Sequence, residues 1–310
     1  MNFKRLFCTV LAMIIAVCCF SGCSKLTQGR TSSSAGSSLD LENLFTSRDL
    51  DSSYDESAAT SIVMSEDNSK VTIYEEGVYI ISGSCTDCQI IVDASDSDKI
   101  QLVLNNLTLS SSSSAAIYVK SADKVFITTA KGSENSLSTT GEFKADGDTN
   151  IDGVIFSKDD ITLNGSGTLN ISTNYGNGIV SKDDLKITEG TYNIKVSNKG
   201  IEANDSVRIA GGTVNVNAEN DAIHSDGDVA IKDGTLNIIS GDDGIHADNN
   251  NYILGGTVNI TKCYEAIEGT KIYISGGSIT AVASDDGINA SSGKDSNDAQ
   301  DGRQGMGEMD

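Results

Sequence analysis

Residues 200–221 read GIEANDSVRIAGGTVNVNAEND, and residues 222–243 read AIHSDGDVAIKDGTLNIISGDD. The two stretches align without a gap over 22 positions, and each opens on a small residue followed by Ile. The same opening recurs at Gly178-Ile179, Gly244-Ile245, Ala266-Ile267 and, one residue early, at Gly287-Ile288. A fixed period of this length predicts a solenoid in which each copy forms one coil.

The apolar residues within each copy alternate with polar ones. Val207 and Ile209 form one alternating pair, and Val214 and Val216 form the next. Period two with β-branched residues predicts strands, and corners such as Gly211-Gly212 separate them. Each strand would pair with its counterpart one coil later, about 4.8 Å away. The sequence therefore predicts an all-β fold, a single-stranded parallel β-helix with about 22 residues per coil.

The N-terminus is typical of a targeting segment. Lys4 and Arg5 precede a short apolar run, and Phe20-Ser21-Gly22-Cys23 resembles a lipoprotein processing site. We expect residues 1–22 to be a lipoprotein signal peptide and Cys23 to carry the lipid. A secretory signal cleaved near the same place is the alternative. The mature protein would be lipid-anchored on the extracellular face of the cell membrane, touching the membrane through the anchor only.

Composition divides the rest of the chain into three parts. Residues 23–60 are rich in Ser, Thr, Gly and Asp, which predicts a flexible tether. Residues 61–291 carry the strand pattern and form the predicted β-helix domain. Residues 292–310 are rich in Gly and Asp and are predicted to be disordered.

The charge balance excludes one class of partner. The chain has 22 basic and 44 acidic side chains, for a net charge of −22. Nucleic acid is excluded because binding its phosphates requires Lys and Arg to displace counterions. Binding of an anionic sugar would need a cation between the sugar and this acidic protein. Proline is absent, which suits a chain made mostly of central strands.

Stacking turns one repeat position into a column of side chains. The last two positions of the copies are rich in aspartate, and neighbouring carboxylates about 4.8 Å apart repel by on the order of 3 kcal/mol at an effective dielectric near 20. Ca²⁺ would relieve this repulsion, because it accepts carboxylate and carbonyl oxygens in flexible geometry. The alternative is a solvated corner where Asp-Gly makes the turn. The candidate Ca²⁺ ligands are Asp221, Asp242, Asp243, Asp285 and Asp286.

Two further columns are candidates for binding. Glu202, His224 and His246 occupy the third position of successive copies, and Asp226 and Asp248 follow the histidines by two residues. They are possible sugar or metal contacts, or else a surface ladder sensitive to pH. A Thr-x-Asn pattern predicts an uncharged strip that could match polysaccharide hydroxyls or order water, although polar residues also simply face solvent on such strands. The strip comprises Thr168/Asn170, Thr191/Asn193, Thr213/Asn215, Thr235/Asn237 and Thr257/Asn259.

Other chemistry has little support. Cys85, Cys88 and Cys263 remain outside the targeting segment, and a single CxxC favours a local disulfide or inert thiols over zinc. A lyase could use Lys158, Lys182 or Lys199 as a base beside Ca²⁺-bound carboxylates, and Lys199 adjoins the acidic column. Such chemistry usually also requires an arginine to stabilise the enolate-like intermediate. Arg208 is the only arginine in the repeats.

Several stretches carry a family resemblance, among them Leu163-Asn164-Gly165-Ser166-Gly167-Thr168-Leu169, Gly241-Asp242-Asp243-Gly244-Ile245 and Ser284-Asp285-Asp286-Gly287-Ile288. With the lipoprotein start, they resemble the clostridial carbohydrate-binding lipoprotein family, once a domain of unknown function. The resemblance implies a right-handed parallel β-helix like that of pectate lyases, bound Ca²⁺, and binding of cellulose or acidic sugars without established catalysis. Tyr264/Glu265 departs from the Asp-Asp-Gly pattern. Family members usually continue with more coils, whereas this chain stops at Asp310.

We therefore expect a surface-anchored polysaccharide-binding protein with structural or bridging calcium. The polysaccharide would be cellulose or an acidic plant or cell-wall polymer. One alternative is a calcium-dependent, pectate-lyase-like enzyme. Another is a non-catalytic structural adhesin or stalk.

Overall fold

The computed structural model describes residues 39–291, which contain 25 β-strands and no helix. Within this range no helix is therefore available to span a membrane. The predicted signal peptide, Cys23 and the tail 292–310 lie outside the described residues. The strands are β1 Thr60–Met64, β2 Lys70–Ile73, β3 Gly77–Cys85, β4 Gln89–Asp93, β5 Lys99–Ser111, β6 Ile117–Ser121, β7 Lys124–Thr129, β8 Glu134–Thr139, β9 Gly153–Ser157, β10 Asp160–Gly165, β11 Thr168–Thr173, β12 Asn177–Ser181, β13 Asp184–Ile187, β14 Thr191–Val196, β15 Ile201–Ala203, β16 Ser206–Ile209, β17 Thr213–Ala218, β18 Ile223–Ser225, β19 Asp228–Ile231, β20 Thr235–Ile239, β21 Ile245–Ile253, β22 Thr257–Cys263, β23 Ile267–Ile274, β24 Ser278–Ala283 and β25 Asn289–Ala290.

These strands form three parallel sheets that run the length of a β-solenoid with about 10 turns of about 22 residues. Sheet A contains β2, β4, β6, β9, β12, β15, β18, the first parts of β21 and β23, and β25. Sheet B contains β1, the first parts of β3 and β5, then β7, β10, β13, β16, β19 and the last parts of β21 and β23. Sheet C contains the last parts of β3 and β5, then β8, β11, β14, β17, β20, β22 and β24. The predicted parallel β-helix is confirmed.

The core follows directly from the repeat. Ile201, Ile223, Ile245 and Ile267 are paired in register along sheet A, and all four are fully buried. Burying one such side chain contributes roughly 1.5–3 kcal/mol. Because every coil adds its inward residues to the same columns, the core is one continuous apolar cluster along the axis.

The second glycine of each copy has a backbone reason. Gly212 lies at the corner between sheets B and C with φ of 85°, and its equivalents Gly190, Gly234 and Gly256 also have positive φ. A Cβ on Gly212 would lie 2.8 Å from the carbonyl oxygen of Gly190 in the preceding coil. The corner therefore requires glycine for both conformation and space.

Near the first coils, Cys85 and Cys88 form a disulfide. This agrees with the local-disulfide interpretation and removes both thiols as metal ligands. Cys263 is a free, buried cysteine in the core of a later coil.

Residues 39–51, which we call the strap, pack along the outer face of sheet B. Leu44 is buried against Ala230 and Tyr252, and Arg48 lies over the ring of Phe126. For these residues the structure differs from the predicted tether. Leu44, with Leu39 and Phe45 packed beside it, and one buried carboxylate hold the segment.

That carboxylate belongs to Asp49, which is 0% exposed. Its oxygens lie 2.5 Å from Lys124 Nζ and 3.6 Å from Lys186 Nζ, and the Thr162 hydroxyl donates to it at 2.9 Å. Burial alone would raise the pKa of Asp49, but the hydrogen bonds from Lys124 and the Thr46 N–H hold it well below its ordinary value. The strap is thus held by a satisfied, buried ion pair that spans several coils.

Asp49→Asn should destabilise the protein by about 3 kcal/mol, because it leaves the buried Lys124 without its carboxylate and Lys186 with only Asp184, 3.8 Å away. Urea unfolding at neutral pH would measure this loss. The native pKa of Asp49 lies below its value of about 3.9 in the unfolded chain, so the stabilisation is present above that pH and is lost as pH falls further. The difference between wild type and variant should therefore shrink below about pH 4.

Asp51→Asn is the matched control, since Asp51 lies in the same strap but is exposed. An equal effect of the two substitutions would contradict the assigned role of Asp49.

Candidate functional site

The outward side chains of sheet A form one continuous column through ten paired strands. Its members are Thr72, Ile91, Tyr118, Phe156, Val180, Glu202, His224, His246, Glu268 and Asn289. The column changes character midway, because it is apolar from Ile91 to Val180 and ionisable from Glu202 to Glu268. Thr72 and Asn289 stand at its two ends.

The apolar half is covered by residues 140–152, a long connection between β8 and β9. Ile151 and Phe143 from this connection pack on Tyr118, Phe156 and Val180. The chain therefore shields the apolar half of the column and leaves the charged half without this cover.

Two histidines are clamped by carboxylates in the charged half. His224 Nδ1 lies 2.9 Å from Asp221 Oδ2, and its Nε2 lies 3.2 Å from Asp226 Oδ1. In the next coil His246 makes the same contacts, at 2.9 Å to Asp243 and 3.2 Å to Asp248. The two rings stack with centroids 4.8 Å apart. We call these six residues and Glu268 the histidine cluster.

Glu268 and Glu202 flank the histidine pair. Glu268 Oε2 lies 3.0 Å from His246 Nδ1, and the Ser291 hydroxyl donates to its other oxygen at 2.7 Å. Glu202 accepts a hydrogen bond of 2.8 Å from Asn177 and lies 3.8 Å from Lys199 Nζ. The structure thus brings the predicted contact residues together and pairs each of them within the protein.

The pKa values of several groups in the histidine cluster are shifted from their ordinary values. Burial would lower the pKa of His246, but its hydrogen bonds to Asp243 and Asp248 raise it to about 10. The pKa of His224 is raised in the same way by Asp221 and Asp226. Burial raises the pKa of Asp243 to about 7, and its hydrogen bond to Glu268 adds to the rise. When all groups are ionised, five carboxylates and two imidazolium ions give 2 − 5 = −3, a charge that favours a cation.

Three of the predicted Ca²⁺ ligands come together at the edge of this cluster, and two of them, Asp221 and Asp243, also belong to it. One oxygen each from Asp221, Asp242 and Asp243 lies within 4.8 Å of the others. Asp221 and Asp243 are each 5% exposed, and Asp221 also accepts the Asp243 N–H at 3.1 Å. This all-oxygen set fits Ca²⁺, whereas sets that include an imidazole nitrogen suit it less well. Asp285 and Asp286 are exposed on the last coil.

The Thr-x-Asn strip is built on sheet C with a regularity that the sequence did not reveal. Its amides bond to one another along the axis, with each Nδ2 donating to the preceding Oδ1. The distances are 2.8 Å from Asn193 to Asn170, 2.7 Å from Asn215 to Asn193, 2.8 Å from Asn237 to Asn215 and 3.1 Å from Asn259 to Asn237. We call these five residues the asparagine ladder.

A shallow cavity of about 450 Å³ runs beside the asparagine ladder. Its other wall is the next outward column of sheet C, which contains Ser172, Lys195, Asn217 and Ile239. Thr261, at the bulge that follows in β22, also lines the cavity. The cavity is open, spans several coils and is lined mainly by uncharged groups. We call it the ladder groove.

Arg208 does not join either candidate site. It lies on sheet B under the strap, where it contacts Asp184 at 2.9 Å and donates to the Leu44 carbonyl at 3.3 Å. The arginine that lyase chemistry would require is therefore engaged elsewhere.

A parallel β-solenoid with regular polar columns is the class of protein that the fold and these sites define. The model of the carbohydrate-binding domain-containing protein family matches residues 67–302, and the chain belongs to this family. A carbohydrate-binding domain-containing protein of Acetivibrio thermocellus is 40% identical over 128 residues. That match covers 41% of this chain and 45% of the relative, so the chain spans about half the length of this curated relative.

A solved structure is also similar. It is described as the polysaccharide lyase-like protein from C. thermocellum, in a gadolinium derivative. It shares 30% identity with a TM-score of 0.57, and the match covers 74% of this chain and 98% of the other. These findings confirm the family resemblance noted from the Asp-Asp-Gly-Ile corners.

In EDTA, NMR titration should show His246 still protonated at pH 8, where an ordinary histidine is neutral. Its raised pKa means that its contribution to stability is complete below about pH 6.5 and is lost as pH rises through about 10. Asp248→Asn should lower this pKa because it removes one charged acceptor. A His246 ring that titrates near pH 6.5 would contradict the clamp.

Proposed function

We propose that this protein binds polysaccharide along the ladder groove of sheet C. Its family supports a carbohydrate ligand. The observation that carries the proposal is the row of side-chain amides, bonded to one another at 2.7–3.1 Å and open to a cavity that spans several coils.

The asparagine ladder suits a polymer of hydroxyl groups. An amide offers two N–H donors and two lone pairs, and the ladder uses one N–H and one lone pair of each interior member. The rest can bond to hydroxyls that act as both donors and acceptors. Because neighbouring amides fix one another's orientation, less freedom is lost when a ligand binds. One such group recurs per coil, about every 4.8 Å.

We further propose that calcium binds at Asp221, Asp242 and Asp243. When bound, it would neutralise buried carboxylates and could bridge to an acidic sugar. The similar solved structure is a gadolinium derivative, and gadolinium, like calcium, is a hard ion that prefers oxygen ligands. Asp285 and Asp286 support a second site less strongly, since both are exposed.

The proposal includes surface display. A lipid on Cys23 would hold the solenoid outside the cell, at the face where polysaccharide is met. This part rests on the sequence of residues 1–23 alone, and globomycin-sensitive processing with lipid labelling of Cys23 would test it.

Substituting the ladder should weaken binding. N193A/N215A/N237A removes three consecutive amides, and we expect at least about a tenfold loss of affinity, which corresponds to 1.4 kcal/mol. Pull-down on cellulose and pectin would measure retention. N249A is the control, because Asn249 is exposed on β21, outside the ladder groove.

Absence of retention of wild type on both polymers, with and without EDTA, would refute the binding proposal. If the wild type also bound no sugar class selectively on a glycan array, the result would favour a structural stalk. Release of unsaturated uronate from polygalacturonate would instead identify a lyase.

Calcium should stabilise the folded protein. At 100 times its Kd, a ligand that binds only the native state adds about 2.7 kcal/mol, and this raises the unfolding temperature. D242N/D243N should abolish most of the rise in a calcium titration followed by thermal unfolding. D233N is the control because Asp233 is an exposed corner carboxylate outside the group. An equal calcium response in D242N/D243N would overturn the assignment.

A further inference from the structure

A second cavity, of about 200 Å³, lies beside sheet A near the first coils. Its lining includes Lys70, Lys120 and Lys144, with Tyr118 and Asp146. Three lysines around one carboxylate are unusual in a chain with a net charge of −22. We call this cavity the lysine pocket.

The lysine pocket is built from both regular and irregular parts of the chain. Lys70 comes from β2, and Tyr118 and Lys120 come from β6. Lys144 and Asp146 belong to the long connection 140–152, whose backbone is fixed by a hydrogen bond of 2.9 Å from the Lys144 N–H to the Ser113 carbonyl. The departure from the repeat therefore creates the pocket.

The charges of the pocket are only partly satisfied internally. Lys120 Nζ lies 2.6 Å from Asp146 Oδ2, and the Tyr118 hydroxyl donates to the same oxygen at 3.3 Å. Lys120 also lies over the Tyr118 ring, 5.4 Å from its centroid. Lys70 and Lys144 are exposed at the rim. The lining itself therefore carries three ammonium groups and one carboxylate. Outside the lining, Asp87 lies within electrostatic range of Lys144, and Asp93 lies within range of Lys120.

We propose that the lysine pocket binds a carboxylate-bearing sugar unit of the polysaccharide. The cavity is smaller than the usual 300–1,000 Å³ of drug-sized sites, which suits a single small unit. Ammonium groups favour a carboxylate through charge-assisted hydrogen bonds. Asp146 already pairs with Lys120 in the way that a ligand carboxylate would pair with Lys70 and Lys144. This inference rests on the proposed polysaccharide binding and adds a calcium-independent contact for acidic units.

Affinity electrophoresis in EDTA at low salt tests this site, because EDTA removes any calcium bridge. Gels would contain polygalacturonate or its fully methyl-esterified form, which has the same backbone without the charge. We expect polygalacturonate, and not the ester, to retard the wild type. K70A/K120A/K144A should weaken this retardation at least about tenfold relative to a gel without polymer.

Two controls accompany this test. One keeps the positive charge of the pocket, and the other changes the net charge of the protein outside the pocket. K70R/K120R/K144R keeps three cations and should keep the retardation. K232A removes an exposed lysine of the B–C corner, outside the pocket, and should behave as wild type. Equal retardation by the ester, unchanged retardation of the triple alanine variant, or no retardation of wild type would each overturn the inference. Retention on cellulose depends on the ladder groove, so it should persist in K70A/K120A/K144A and reports separately on the proposed function.

Discussion

Parallel pairing between successive coils is the interaction on which the rest of the structure depends. Each strand bonds to its equivalent one coil later, so every repeat position is projected into a straight column with a spacing of about 4.8 Å. Inward columns of Ile, Val and Leu make the core. Outward columns gather side chains from equivalent repeat positions, and the candidate binding sites form where those side chains are polar.

The same constraint creates a problem, because like groups are stacked on like groups. Each sheet resolves it differently. On sheet A, corner carboxylates clamp each of the two stacked imidazoles, and Asp221 also accepts a backbone N–H group. On sheet C, neutral amides satisfy one another along the axis. On sheet B, lysines and an arginine are covered by the strap, whose Asp49 supplies the missing charge. The three faces differ although the backbone repeat is the same.

The repeat was sufficient to predict the fold, the strand faces and the columns, because these follow from period and alternation alone. It could not predict the clamp around His224. The residues three before and two after it belong to different columns, and only the corner geometry brings Asp221 and Asp226 to the two ring nitrogens. Nor could it predict the strap or the lysine pocket. Both depend on segments outside the period, where Leu44, Asp49 and Lys144 carry no repeating signal.

The strap also determines how the solenoid would bear tension. From residue 39 the chain runs past Tyr252 and Ala230, then past Lys186 and Lys124, before it enters β1 at Thr60. A force applied to the N-terminal end would act first on the packing of Leu44 and then on the Asp49 ion pair. It would act on the first coil only after both contacts had broken. Load from that end is therefore taken up across several coils in the middle of the molecule. The terminal strand β1, held by a single neighbouring strand, is spared.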